Sequence, residues 1–128
     1  FYLREAVKKM PPSDRRLLDS PASACLFMRT QQEGLRQGSD GAVQDLKVQW
    51  QHWGFEMSEV KNPVQIMQGD ADPFVPQAFA HHLSKNLANG KLHLFPGSGH
   101  LLPFSSDFRE EMFRQAKQLQ EMPLAKDQ

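Results

Sequence analysis

A mixed α/β fold is predicted: a mostly helical N-terminal half, then strand, helix, strand and helix with the two strands parallel. Three observations predict it. Apolar residues in the first sixty positions recur at three- and four-residue steps, the period of a helix. Two short runs, Pro63–Gly69 and Lys91–Phe95, alternate or cluster apolar side chains and close on turn formers. Helical periodicity returns between and after these runs, and a strand, a helix and a strand in so short a compass make a right-handed crossover with parallel strands.

The first helix is expected over about Tyr2–Met10, where Leu3, Ala6, Val7 and Met10 share a face. Pro11-Pro12 stops it, because proline donates no helix hydrogen bond and pushes its predecessor to extended geometry. Asp19-Ser20-Pro21 reads as a helix start, a capping side chain with proline in the first position, and this helix should run to about Arg36 before Gly38. Asp40 can cap a third helix in which Val43, Leu46, Trp50 and Trp53 recur at helical steps, with Gly54 as terminator. Both tryptophans are expected to be buried against the sheet.

In the second half, Pro76 opens a helix with Phe79, Leu83 and Leu87 four residues apart, ended by Asn89-Gly90. Asp107-x-x-Glu110 reads as a capping box; Phe108, Met112, Ala116 and Leu119 form the inner face of the last helix, and Pro123 stops it. The chain thus divides into a helical segment over 1–60, an α/β unit over 61–122 and a tail over 123–128. Two parallel strands do not complete a sheet, so at least one edge should lie bare and further strands should come from elsewhere.

With 128 residues the chain has room for one ordinary domain. Fifteen basic and fifteen acidic residues cancel, so no global field draws it to nucleic acid, which is not expected as a partner. No apolar run approaches the about 18 residues of a membrane-spanning helix, and the N-terminus lacks the layout of a signal peptide. A soluble segment is expected, with the cytoplasm as the favoured compartment. The single cysteine, Cys25, lies among Ala24, Leu26 and Phe27 and is expected to pack rather than react. The chain opens on Phe1 directly into a helical pattern, which is the expectation for a fragment or a processed product.

Two loops could carry chemistry. Gly69-Asp70-Ala71-Asp72-Pro73 follows the first strand, and Pro96-Gly97-Ser98-Gly99-His100 follows the second. Singly each is an ordinary turn. Together they place a carboxylate and an imidazole on the same rim of a parallel sheet, where functional groups gather, in the relation that holds an imidazole in one tautomer. Spacing alone does not choose between Asp70 and Asp72. His81-His82 are adjacent on a helix and point about 100° apart, so they do not chelate a metal together. His93 lies mid-strand and is expected to be a packed or edge side chain.

Residues 63–76 resemble the seventh strand and acid loop of the α/β-hydrolase fold, in which the acid lies three residues after the glycine and a proline follows. Gly99-His100, Leu101-Leu102-Pro103-Phe104 and a helix starting near Asp107 resemble that family's histidine loop and last helix, and the two helices before residue 60 its cap segment and the helix preceding the acid strand. The resemblance covers about Asp40–Gln118. It implies the C-terminal part of an α/β-hydrolase fold, with Asp72 as acid and His100 as base of a triad, Asp70 left to hydrogen-bond the turn, no metal or organic cofactor, and a small ester-like substrate for the complete protein. The family's Gly-x-Ser-x-Gly nucleophile turn and its oxyanion loop occur nowhere in the chain. The alternative expectation is a catalytically inactive member that binds a ligand or protein; substrate and oligomeric state stay open.

Overall fold

The computed structural model describes residues 7–121. Residues 7–9 are helical and Met10 breaks away; the remainder of the helix expected over Tyr2–Met10, the stop at Pro123 and the tail lie outside the described residues. A helix that sequence reading did not anticipate follows at once, α1 (Pro12–Leu18). Pro12 costs it nothing, because a first-turn N–H has no helical partner anyway, and Asp14 complements the positive end of the helix. The proline pair therefore ends one helix and starts the next.

Helix α2 (Pro21–Gly34) begins as expected, with Ser20 Oγ accepting from the N–H of Ser23 at 3.5 Å. Helix α3 (Asp40–Trp50) begins one residue earlier than a cap at Asp40 would require: Ser39 holds the capping position and Asp40 lies inside the first turn. Gln51 is extended, so Trp53 is off the helix, paired with Phe55 at a ring separation of 5.9 Å. The expected burial of the tryptophans against the sheet does not occur. Trp50 is 85 % exposed and Trp53 49 %. Helical spacing marks an apolar face but not what covers it, and a sheet of two strands leaves α3 no surface to cover. Cys25, expected to pack, is likewise exposed on α2.

Strands β1 (Val64–Gly69) and β2 (Gly90–Phe95) pair in parallel, from Val64 opposite Gly90 to Gly69 opposite Phe95. Helix α4 (Gln77–Asn86) connects them and packs on both, burying Ala80. The last helix, α5 (Ser106–Gln120), starts on Ser105 rather than Asp107: the Ser105 hydroxyl accepts from the N–H of Phe108 at 3.2 Å. It leans on β2 through Phe108 against Phe95, ring centroids 6.0 Å apart. The mixed α/β class with parallel strands is thus present in a two-stranded sheet.

The apolar faces expected for the last two helices exist but are not closed over. Phe79 and Leu83 of α4 and Phe108, Met112, Ala116 and Leu119 of α5 line an open trough of about 560 Å³ whose floor is β1, from Gln65 to Gly69. It runs along the edge of β1 that has no strand partner among the described residues. The residue most buried on α5 is instead the polar Gln115, which donates to Glu111 at 2.7 Å. No helix among the described residues is long and apolar enough to cross a membrane.

Candidate active site

Strand β1 ends on Gly69 and the chain turns sharply through Asp70–Pro76 into α4. Asp72 builds that turn: its Oδ1 accepts from the backbone N–H of Phe74 at 2.8 Å and of Val75 at 3.1 Å. The ordinary turn role and the candidate acid role therefore fall on one carboxylate, with different oxygens serving each. Oδ2 is turned to His100 and lies 3.0 Å from its Nδ1.

Two devices carry His100 to this oxygen. Beyond β2, Ser98 donates its N–H to Phe95 O at 3.2 Å across a turn with Pro96 and Gly97 at its centre, and Gly97 holds φ +66°, a conformation that suits glycine. The loop then folds down onto the end of β1, where Ala71 donates to Ser98 O at 2.9 Å. That approach exists because residue 69 is glycine. A Cβ there would stand 2.2 Å from Ser98 O and 2.8 Å from Gly99 O.

Because an ionised carboxylate only accepts, the Nδ1 of His100 must carry the proton, leaving the Nε2 lone pair outward. No hydrogen bond among the described residues occupies Nε2. The His100 side chain is 48 % exposed while that of Asp72 is 7 % exposed, so the pair has a sheltered acid and an accessible base. Phe74 meets the imidazole edge-on at 5.2 Å, and both Asp72 and His100 border the carboxyl end of the trough. This is the geometry in which an imidazole can take a proton from a nucleophile delivered to Nε2.

The structure separates the two candidate acids. Asp70 Oδ1 accepts from the N–H of Gly97 at 2.6 Å, and its carbonyl oxygen accepts from Gln77 Nε2 at 2.7 Å. Asp70 is a clasp between the two loops and has no bond to His100. His81 and His82 are exposed on α4. His93, in β2, has Nε2 2.6 Å from Gln65 Oε1 and Nδ1 3.5 Å from Glu111 Oε1. Burial pushes its pKa down, Lys91 adds to that, and Glu111 opposes it. Glu111 in turn is lowered to about 2, chiefly by hydrogen bonds from Arg114 and then Gln115. No group of three or more His, Cys, Asp or Glu side chains among the described residues is placed to hold a metal ion.

Two positions of the site were not anticipated from sequence. Gly69 signalled only a strand end, although a glycine immediately before an acidic loop also permits a close approach. Asp14, 58 residues before Asp72 in the chain, is fully buried against the histidine loop, and no local pattern pointed to it. No family model matches this chain, and neither the curated proteins nor the solved structures contain a match to it.

Proposed function

We propose that this chain supplies the acid and base of a serine-type hydrolase of α/β-hydrolase class, the complete form of which cleaves an ester or related bond. The observation that carries the reading is the Asp72–His100 pair, 3.0 Å apart on the carboxyl rim of two parallel strands. Asp72 fixes the Nδ1–H tautomer and stabilises the imidazolium; Nε2 takes the proton of the nucleophile and returns it to the leaving group. The nucleophile, a serine on a Gly-x-Ser-x-Gly turn, and the oxyanion donors come from sequence outside this chain. The bare edge of β1 and its apolar trough support that reading, since they are what a core lacking its neighbouring strands would present.

The chain by itself is then inert, because a base without nucleophile and oxyanion donors has nothing to activate. The 128 residues, offered a chromogenic short-chain ester, should give no turnover that depends on His100; turnover abolished by His100→Ala would overturn this. A reading frame extended upstream of Phe1 should encode Gly-x-Ser-x-Gly, and its product should label at that serine with a fluorophosphonate in a manner lost in His100→Ala. A second reading, an inactive binding module, is favoured by the same trough. It predicts an extended product that does not label.

A further inference from the structure

Asp14 stands out as a buried acid with no task in the chemistry above. It lies in the first turn of α1 with no exposed surface, and neither carboxyl oxygen closes a hydrogen bond with any described residue. The neighbouring Ser13 hydroxyl is equally buried and equally unbonded. Burying an acid this way is costly, and an apolar residue of similar shape would stabilise the fold better, so packing alone does not account for it.

Its surroundings do. The carboxyl rests directly on the histidine loop: a Cβ on Gly99 would stand 2.4 Å from Asp14 Oδ2 and 2.6 Å from its Cγ, so only glycine lets the two meet. Burial raises the pKa of Asp14 most; the backbone N–H groups of Leu101, His100 and Gly99 work against that by favouring the charged form, and the nearby charge of Asp72 adds to the rise. The carboxyl thus packs on Gly99 within reach of the loop's successive amides but closes a hydrogen bond with none of them, and Leu101 and Leu102 beside it are buried.

We propose that Asp14 is a positioning residue: its carboxyl props the backbone of Gly99, His100 and Leu101 from behind and so holds the His100 imidazole against Asp72. The proposal rests on reading Asp72 and His100 as acid and base. It makes the helical segment part of the site, since α1 carries no group to substrate yet fixes where the base stands.

Imidazole ¹⁵N spectra of the 128-residue chain, with His100 assigned through His100→Gln, test it. The wild-type chain should show His100 as the Nδ1–H tautomer with a hydrogen-bonded downfield proton. Asp14→Asn keeps the shape but turns an amide N–H toward the loop's own donors; it should lose the downfield proton and mix the tautomers while amide shifts away from residues 98–102 stay in place. Asp14→Ala should do the same, and because it leaves a cavity, Asp14→Asn decides the matter if Asp14→Ala fails to fold. An unchanged His100 signal in Asp14→Asn would overturn the proposal. Asp72→Asn separates the two failures: a His100 tautomer that ignores Asp72→Asn removes the acid–base reading itself, whereas one that responds to Asp72→Asn but not to Asp14→Asn removes only the role of Asp14.

Discussion

His100 beside Asp72 and His93 beside Glu111 are the same two functional groups, set one strand end apart, and their surroundings give them opposite characters. His100 presents Nδ1 to its carboxylate at 3.0 Å, borders the open trough, and has no hydrogen bond at Nε2 among the described residues. His93 commits Nε2 to Gln65 at 2.6 Å, which leaves Nδ1 without a proton opposite Glu111 at 3.5 Å. Its carboxylate is taken by Arg114 and Gln115 instead. Only 15 % of the His93 side chain is exposed, against 48 % for His100. A histidine near an acid is therefore not a catalytic signature; the orientation of the ring and the freedom of its second nitrogen are what count.

The sharpest break in this comparison comes from removing each acid. In the hydrolase proposed above, Asp72→Asn should cost about 10⁴-fold in kcat, because the imidazole loses the partner that selects its tautomer. Glu111→Gln should leave kcat where it is. Steady-state hydrolysis of one ester by both variants checks the contrast, and equal losses would erase it.

Gly69→Ala attacks the rim pair without touching the other. The new Cβ forces back the carbonyls of Ser98 and Gly99, and crowding of this kind costs about 2 kcal/mol. Urea unfolding should register that loss, and the His100–Asp72 hydrogen bond should weaken in imidazole spectra while the His93–Gln65 contact persists.

Acid should reveal the half-buried His93–Glu111 pair as a stability device. His93 has its pKa depressed below 6.5 on folding, so the fold prefers it neutral; that contribution is whole above pH 6.5 and fades as pH falls. Glu111, lowered from 4.5 to about 2, adds a second contribution that is present above pH 4.5 and is lost toward pH 2. Thermal melts across this range should fall on both steps. His93→Gln should flatten the first and Glu111→Gln the second.

The smallest effect is expected where neither pair is involved. Trp50→Ser removes a large apolar side chain, yet at 85 % exposure it has little packing to lose, and the stability of the chain should change by less than about 0.5 kcal/mol. A larger loss would mean that α3 is covered in solution.

The same contrast governs how much was legible in the sequence. Strands at 64–69 and 90–95 and the helix between them could be read because β-branched runs, proline starts and glycine stops act locally. The Asp72 and His100 loops were legible because parallel pairing forces both onto one rim. Burial was not. Trp50 follows the helical period faithfully and still faces solvent, while Ala80 and Gln115 are the covered positions on helices whose larger apolar residues line the trough. Periodicity reports which residues share a face, and the partner of that face lies far away in the chain. Asp14 escaped notice for the same reason: its meaning resides in Gly99, 85 positions later.

Asp72 and His100 are separated by only 28 residues, and everything between them belongs to one helix, one strand and their turns. Closing a loop of that length costs about 3 kcal/mol in chain entropy, and tripling it would add only about 1 kcal/mol. What the short span confers is speed rather than strength, because contacts between near neighbours in sequence form before distant ones. The acid and the base are thus able to find each other within their own short segment, without waiting on contacts from more distant parts of the chain.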